Sequence, residues 1–312
     1  MKKLLLILNP RAGLRRANRF LPEIVRLFID HGYSCETYVT GRSGEATEYL
    51  SQKKHGSYNM IVCAGGDGTL NETIAGMLAA GMKCPLGYIP CGTTNDYASS
   101  IGLSGDVVQA ARDIVEGRAQ AIDIGAFNGR NFVYTATCGA FAKASYTTSQ
   151  VAKNLLGHVA YILEGVKDLS TIRPIHMRVT SGDVVLEDDF LFCSITNSTS
   201  VGGILKLDTQ MVALNDGKFE VTLVRNPTTP AQLSSIFVGL TTQNVPNDMI
   251  HFFSANNIHV ECDAPVEWTL DGEREPETDK VELVNLHSAV RIVIPKTAHA
   301  APFEYGAEEA EL

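Results

Sequence analysis

Hydrophobic and polar positions follow a regular rhythm over about the first 120 residues. Short aliphatic runs predict buried strands over residues 4–8 and 60–64, and two further strands are predicted over residues 33–39 and 85–89. Apolar residues at helical spacing predict helices over residues 18–29, 45–54, 70–80 and 105–116. Strands that alternate with helices of this length indicate βαβ units, and therefore an open, mostly parallel sheet covered by helices.

The pattern changes after about residue 120. Asn128-Gly129 lies between two β-rich runs and predicts a hairpin. A single helical stretch follows at residues 151–169, whose apolar stripe we interpret as a core helix in preference to a membrane-docking face. Further short β-rich runs are predicted over residues 175–180, 184–186, 190–196, 219–224, 258–262, 266–270, 281–286 and 290–294. Their density predicts a mainly antiparallel β-sandwich or partial barrel.

These patterns predict an α/β domain over residues 1–122, a β-rich domain over 123–296 and a tail over 297–312 that could return to the first domain. The 312 residues carry 26 basic and 35 acidic side chains, a net charge of −9, which argues against a general nucleic-acid binder. The apolar runs are too short for a transmembrane segment, and the seven cysteines form no C-x-x-C pair. We therefore expect a cytoplasmic protein.

The most informative segment for chemistry is Ala64-Gly65-Gly66-Asp67-Gly68-Thr69-Leu70-Asn71-Glu72, between a predicted strand and helix. Three glycines allow the backbone to approach a phosphate closely, and the start of a helix attracts anions. A carboxylate in such a loop is explained if Mg²⁺ lies beside the phosphate, or if Asp67 handles a proton. The alternative is a plain turn capped by Asp or Thr, which does not need three glycines.

Two more loops follow predicted strands of the same sheet. Asn9-Pro10-Arg11-Ala12-Gly13 follows the first strand, and Pro90-Cys91-Gly92-Thr93-Thr94-Asn95-Asp96 follows the fourth. Because the carboxyl ends of parallel strands meet at one edge of a sheet, all three loops can converge on a single ligand. Asp96 would either cap a helix or join Asp67 through magnesium and water, and the sequence favours neither.

In order and spacing, these motifs resemble the catalytic domain of the diacylglycerol kinase family. The shared motifs are Asn9-Pro-x-x-Gly13, Gly65-Gly-Asp-Gly-Thr69-x-Asn-Glu72 and Gly92-Thr-x-Asn-Asp96, with Gly202-Gly203, Asn215-Asp216-Gly217 and Leu270-Asp271-Gly272-Glu273 further on. The length and the β-rich second half resemble the soluble bacterial lipid kinases of that family. The resemblance covers nearly the whole chain.

The resemblance implies a set of ATP-binding positions in the first domain. They come from the three loops and from the end of the second strand: Asn9, Gly13, Thr40, Gly66, Asp67, Gly68, Thr69, Leu70, Asn71, Glu72 and Thr93. The first loop departs from the family pattern, because Ala12 stands where the family usually has Ser. One phosphate donor is therefore missing.

The resemblance also implies the catalytic and metal-binding residues. Asp67 and Glu273 would serve the catalytic centre, with Glu273 as general base, although Asp-Gly-Glu is also an ordinary hairpin turn. A structural Mg²⁺ would bind the Asp216 carboxylate and the carbonyls of Ala213 and Lys218, unless Asp216 simply forms a turn. Residues 210–212 are Gln-Met-Val where the family tends to have Pro-Asp-Ala, which affects the details of that site.

The resulting hypothesis is an ATP-dependent kinase that phosphorylates a lipid hydroxyl, most simply diacylglycerol to phosphatidic acid. The alternative enzyme is an NAD kinase, because such enzymes also carry a Gly-Gly-Asp-Gly-Thr loop. The alternative that is not an enzyme is a catalytically silent lipid or nucleotide sensor derived from this fold. The partners implied are ATP, Mg²⁺ and a lipid at a membrane surface, with transient membrane association. The resemblance leads us to expect a homodimer, for which the sequence shows no pattern.

Overall fold

The computed structural model describes residues 1–139, 173–201, 205–206, 212–242, 246–296 and 303. The helix predicted over 151–169, the Gly202-Gly203 pair and nearly all of the tail lie outside this part of the chain. The chain forms two compact units, Met1–Asp123 with Ser288–Leu312 and Ile124–His287. Each unit is described by itself.

Strands make up most of the described residues. They are β1 (Lys2–Leu8), β2 (Tyr33–Val39), β3 (Met60–Gly65), β4 (Leu86–Pro90), β5 (Arg118–Phe127), β6 (Arg130–Phe132), β7 (Thr135–Gly139), β8 (Ile175–Ser181), β9 (Val184–Thr196), β10 (Ser200–Val201), β11 (Leu205–Lys206), β12 (Phe219–Arg225), β13 (Ile250–Ala255), β14 (Asn257–Val266), β15 (Trp268–Leu270), β16 (Glu273–Arg274) and β17 (Thr278–Ile294). The helices are α1 (Arg16–Asp30), α2 (Glu45–Ser51), α3 (Asp67–Ala79), α4 (Asp96–Ser100), α5 (Val107–Glu116) and α6 (Pro230–Thr242), and a short 3₁₀ helix spans Ala12–Arg15.

The first unit contains a parallel sheet in the strand order β2-β1-β3-β4-β17. Strands β1, β3 and β4 are apolar along most of their length because helices cover the sheet, so side chains on either face are removed from water, whereas much of the edge strand β2 is exposed. On one face, Leu6 of β1 and Val62 of β3 share a core with Phe28 of α1 and Ile114 of α5. The core fixes the strand ends, and therefore the loops that leave them.

The second unit is mostly antiparallel. The long strand β9 pairs with β8 through its first half and with β7 and β12 through its second half. Alternating burial along β8 and β14 shows that each presents one face to the core and the other to solvent. The core contains the large aromatic side chains of Phe132, Phe190, Phe219 and Trp268. The predicted fold class is therefore confirmed, with a parallel α/β sheet followed by a mainly antiparallel β domain.

Several predicted elements differ in extent from the observed ones. The helix predicted from residue 70 begins at Asp67, which places that acid in the first helical turn. Two pairs of predicted strands are continuous, as β9 and as β17. The helices α4 and α6 and the strand β13 were not predicted. The Asn128-Gly129 hairpin is confirmed, with positive φ at both residues.

The carboxyl end of the chain is divided differently from the predicted boundaries. Residues 288–296 belong to the first unit, whereas the sequence analysis placed them in the second domain. The physical reason is strand pairing, because Ile292 of β17 lies beside Leu86 of β4 in parallel. The backbone amide of Ser288 also donates to the Asp123 carboxylate at 2.7 Å, within the same unit.

Candidate active site

Three loops leave the same edge of the parallel sheet in the first unit, and they are joined by hydrogen bonds. The loop after β1 donates from the Asn9 amide to the Ala64 carbonyl at 2.9 Å, and from Asn9 Nδ2 to Thr69 Oγ1 at 2.9 Å. The loop after β4 donates from the Cys91 amide to the Gly65 carbonyl at 2.7 Å. The loop after β3 therefore binds both of its neighbours.

Glycines allow these loops to pack backbone against backbone. Gly13 has a φ of +49°, and a Cβ there would lie 1.8 Å from the Cys91 carbonyl oxygen. A Cβ on Gly92 would lie 2.7 Å from the Gly66 Cα. Any side chain at these positions would force the loops apart, so the glycines are explained by close approach of the chain to itself as well as to any ligand.

The amino terminus of α3 lies within this loop cluster. Gly66 is its N-cap residue in an extended conformation, and no side-chain cap is seen for it within the described residues. The first helical turn holds Asp67, Gly68 and Thr69, and the Thr69 hydroxyl accepts from Asn9 while its side chain is buried. A helix amino terminus capped only by glycine offers its amides to an anion such as a phosphate.

The Asp67 carboxylate is held by β4 and by the loop that follows it. Its Oδ2 accepts the backbone amide of Asp96 at 3.0 Å, and its Oδ1 accepts the hydroxyl of Tyr88 at 3.3 Å. Burial raises the pKa of the Asp96 carboxyl above its usual value. Burial and the nearby Asp67 charge raise the pKa of Tyr88 well above its usual value, so that hydroxyl keeps its proton.

Asn95 shapes the third loop. Its backbone is left-handed with a φ of +52°, and its side chain binds Gly92 twice, accepting from the amide at 2.8 Å and donating to the carbonyl at 3.0 Å. Asn95 is also the residue that precedes α4, so Asp96 is the first helical residue and not the N-cap. Neither Tyr88 nor Asn95 was among the predicted site residues. The left-handed turn at Asn95 could have been predicted, because Asn, like Gly, readily adopts this backbone conformation.

The other predicted ATP-binding residues have varied surroundings. Thr40 is buried at the end of β2, with its amide donating to the Leu8 carbonyl at 2.9 Å. Thr93 is exposed in the third loop, Asn71 is half-buried, and Leu70 is fully buried so that only its backbone could reach a ligand. All of these belong to the first unit.

The carboxylate of Glu72 is directed at another helix. Its Oε1 accepts the amide of Gly44 at 2.7 Å and the hydroxyl of Ser43 at 3.0 Å. Gly44 is the N-cap residue of α2 and has no side chain of its own to satisfy that helix end. Glu72 therefore caps α2 from α3, and its contribution to nucleotide binding stays a prediction.

In the second unit, Asp271 and Gly272 form the turn between β15 and β16. Their φ values of +49° and +85° are those of a type I′ hairpin turn, which pairs Leu270 with Glu273. The Asp271 carboxylate is buried and accepts the backbone amides of Val133, Tyr134 and Thr135 at 2.6, 2.9 and 3.1 Å. These bonds anchor the turn to the first residue of β7 and the two residues before it.

Glu273 leaves that turn with an exposed side chain. Its Oε2 forms an ion pair with Arg130 of β6 at 3.1 Å, and the same guanidinium pairs with Glu275 at 2.5 Å. Glu273 and Asp67 lie in different units. The structure therefore describes the surroundings of each acid, and their joint role in one centre stays a prediction.

The predicted metal-binding residues lie in a turn before β12. The Asp216 Oδ1 accepts the Lys218 amide at 2.9 Å, and the Lys218 carbonyl accepts Asn285 Nδ2 at 3.0 Å. Ala213 is half-buried nearby in sequence. A carboxylate and two carbonyls are the oxygen ligands that a hard cation prefers, so their chemistry suits Mg²⁺. Among the described side chains, His, Cys, Asp and Glu form no cluster of three that could hold a metal ion.

None of the helices in the described part of the chain is both long enough and apolar enough to cross a membrane. All seven cysteines lie in that part and are free thiols.

Comparison with known proteins identifies both halves of the chain. Residues 3–127 match the model of the diacylglycerol kinase catalytic domain, and residues 135–293 match the YegS C-terminal NAD kinase beta sandwich-like domain. A diacylglycerol kinase from Bacillus subtilis (strain 168) is 30% identical over 297 residues, which is 95% of this chain and 97% of that protein. One from Staphylococcus saprophyticus is 29% identical over 273 residues, covering 87% of this chain and 89% of that protein.

Solved structures agree on the fold. Two crystal structures from Bacillus anthracis str. Sterne align with TM-scores of 0.76 and 0.71, at 23% and 22% identity, and the second is described as a diacylglycerol kinase. Each alignment covers 95% of this chain, with 96% and 98% of the other chain. With both domain models in order and relatives matched over nearly their full length, the chain belongs to the diacylglycerol kinase family.

Proposed function

We propose that this protein transfers the γ-phosphoryl group of ATP to the hydroxyl of diacylglycerol at a membrane surface, giving phosphatidic acid and ADP. The observation that supports it most directly is the loop cluster of the first unit, in which Gly66 and Gly92 meet backbone to backbone beside the amino terminus of α3. Membership of the family supports ATP as the donor and a lipid as the acceptor.

The loop cluster would bind the phosphates of ATP. The amides of the first turn of α3 would donate to phosphate oxygens, and Asn9, which already contacts Thr69, would bring the first loop to the same ligand. Phosphoryl transfer needs positioning and charge stabilisation more than covalent chemistry from the protein. Thr93 is exposed on the third loop and would reach the nucleotide without rearrangement of the core.

The acids of the site explain why a cation is expected. The Asp96 amide binds the Asp67 carboxylate, so two acidic residues lie side by side next to a predicted phosphate site. Carboxylates repel phosphates unless a cation lies between them, and Asp67 and Asp96 offer the oxygen ligands that Mg²⁺ prefers. When bound, Mg²⁺ would offset the charge of the transferred phosphoryl group. The Asp216 turn would hold a second, structural ion.

In the transfer itself, the lipid hydroxyl oxygen would form a bond to the γ-phosphorus while the bond from that phosphorus to the β–γ bridging oxygen breaks. Glu273, steadied by its ion pair with Arg130, would accept the hydroxyl proton, and ADP would leave. Asp67 would orient the reacting groups from the first unit. This assignment requires that the two acids meet around the bound substrates.

The decisive experiment offers the purified protein several acceptors in parallel. Labelled ATP and Mg²⁺ are incubated with diacylglycerol in mixed micelles, with a total lipid extract and with NAD, and products are identified by mass spectrometry. The Asp67→Asn protein, prepared identically, controls for contaminating kinases. Phosphatidic acid formed only by the unsubstituted protein supports the proposal.

Other products would redirect the assignment. A different phosphorylated lipid from the extract would keep the lipid kinase and change its substrate, and phosphorylated NAD would replace it with the NAD kinase alternative. If no acceptor is phosphorylated while the protein still binds ATP, the sensor alternative is favoured and the proposed function is wrong.

A further inference from the structure

Tyr88 places a polar hydroxyl group in the hydrophobic interior of the first unit, where an apolar side chain is the usual choice. It lies in the middle of β4 with no solvent exposure, between Gly87 and Ile89 in a fully buried strand. Its hydroxyl oxygen lies 3.3 Å from Asp67 Oδ1 and 3.4 Å from Asn95 Oδ1. A buried tyrosine hydroxyl needs a partner, whereas phenylalanine would fill the same space without one.

The proton of that hydroxyl has two acceptors to choose from. The Asn95 Oδ1 already accepts the Gly92 amide at the shorter distance of 2.8 Å, and it belongs to a neutral group. The Asp67 carboxylate is charged, and charged acceptors form the stronger hydrogen bonds. The hydroxyl therefore donates to Asp67.

We propose that Tyr88 is a positioning residue for Asp67, whose carboxylate its hydroxyl holds in one orientation. The inference rests on the proposed function, since that function gives Asp67 its catalytic task. Tyr88 fixes Oδ1 from the sheet, and the Asp96 amide fixes Oδ2 from the third loop. A carboxylate bound through both oxygens by different elements cannot rotate without breaking one bond.

The test removes a single oxygen atom. Tyr88→Phe is compared with Tyr58→Phe, which deletes a hydroxyl that donates to the Glu36 carboxylate in the same unit but outside the three loops. Because the Asp67 carboxylate loses the bond that fixes Oδ1, Tyr88→Phe should lower kcat about three- to ten-fold. The KM for ATP should change less than about two-fold, and Tyr58→Phe should match the unsubstituted protein.

Several outcomes overturn the inference. An unchanged kcat in Tyr88→Phe makes the hydroxyl irrelevant, and a raised KM for ATP with an unchanged kcat indicates general loosening of the loops. If the unsubstituted protein has no kinase activity, the proposed function is wrong independently of this inference. The positioning role of Tyr88 is then tested by crystal structures of the unsubstituted and Tyr88→Phe proteins. An Asp67 side chain in the same orientation with and without the Tyr88 hydroxyl contradicts the inference. If Tyr88→Phe does not fold, a Tyr88–Asp67 separation above about 4 Å in a crystal of the unsubstituted protein contradicts it.

Discussion

Asp67-Gly68 in the first unit and Asp271-Gly272 in the second are the same dipeptide in opposite settings. Asp67 has helical geometry at the start of α3, and its carboxylate is half-buried with bonds to Tyr88 and Asp96. Asp271 is left-handed in a hairpin turn, and its buried carboxylate accepts three consecutive backbone amides. The Asp67 carboxylate is partly accessible to a ligand, whereas the Asp271 carboxylate serves to hold the backbone of its own unit.

The difference teaches that flanking residues decide what an Asp-Gly pair does. Thr69 and Leu70 continue a helix after the first pair, so the dipeptide sits at a helix amino terminus. Short β-strands surround the second pair, so a type I′ turn results. The comparison predicts that the first pair matters mainly for activity and the second mainly for stability.

The largest expected effect comes from Asp67→Asn. The change keeps the side-chain shape and removes the charge, so phosphoryl transfer should fall by about 1,000-fold or more. Unfolding free energy should change by less than about 1 kcal/mol, since one acceptor oxygen remains. Initial rates and urea unfolding measure the two quantities. Asp183→Asn, at an exposed turn, is the control and should affect neither.

Asp271→Ala should reverse that pattern. Removing the carboxylate leaves the buried amides of Val133, Tyr134 and Thr135 without their acceptor, which should lower the unfolding free energy by about 3–5 kcal/mol. Asp271→Asn retains one oxygen and should lose about half as much. Urea denaturation of the three proteins gives the values. A loss below about 1 kcal/mol in the alanine variant would show that these bonds are replaceable.

Gly92→Ala tests the close approach of the loops. Its Cβ would lie 2.6 Å from Asn95 Oδ1 and 2.7 Å from the Gly66 Cα, so the second and third loops must separate. The KM for ATP should rise about ten-fold, because the phosphate donors no longer converge. Gly105→Ala is matched to it, since nothing lies within 4 Å of that position. Equal KM values in the two variants would contradict a nucleotide site between these loops.

The smallest effect should come from Glu72→Gln. An amide is a weaker acceptor than a carboxylate at the amino terminus of α2, so unfolding free energy should fall by about 1 kcal/mol. The KM for ATP should stay within about two-fold if capping is the sole role of the side chain. A larger rise in KM would support the nucleotide contact that the family resemblance implies.

The sheet of the first unit could be predicted because β1, β3 and β4 are short apolar runs, almost wholly buried, whose sequence pattern is typical of parallel strands. Once β1, β3 and β4 are parallel neighbours, their following loops must share an edge, so the meeting of Asn9 with Thr69 needed no side-chain knowledge. Tyr88 could not be found this way, because a tyrosine in a buried strand has the pattern of any core residue. Its role depends on which atom lies across from its hydroxyl, and that is a tertiary property.

The secondary structure of the second unit was harder to predict, because one of its helices has no amphipathic pattern. The helix α6 carries no charged residue, so it lacks the contrast between polar and apolar faces from which helices are recognised. One signal was present: Thr229 and Gln232 form a reciprocal capping box, with Gln232 N donating to Thr229 Oγ1 and Thr229 N donating to Gln232 Oε1, each at 3.2 Å. Pro230 at the first helical position adds to it. These local motifs outweighed periodicity here.

Because β17 lies near the carboxyl end of the chain, the sheet of the first unit is completed late in synthesis. Its residue Ile292 pairs with Leu86, so the ribosome must add about 200 residues after β4 before that edge is covered. At about 5–20 residues per second this takes roughly 10–40 s. Throughout that interval the nascent chain exposes an unprotected edge of aliphatic strand, which is a template for aggregation. A message that stops early would therefore yield an aggregation-prone fragment that contains the three loops but lacks the strand that covers the edge of the sheet.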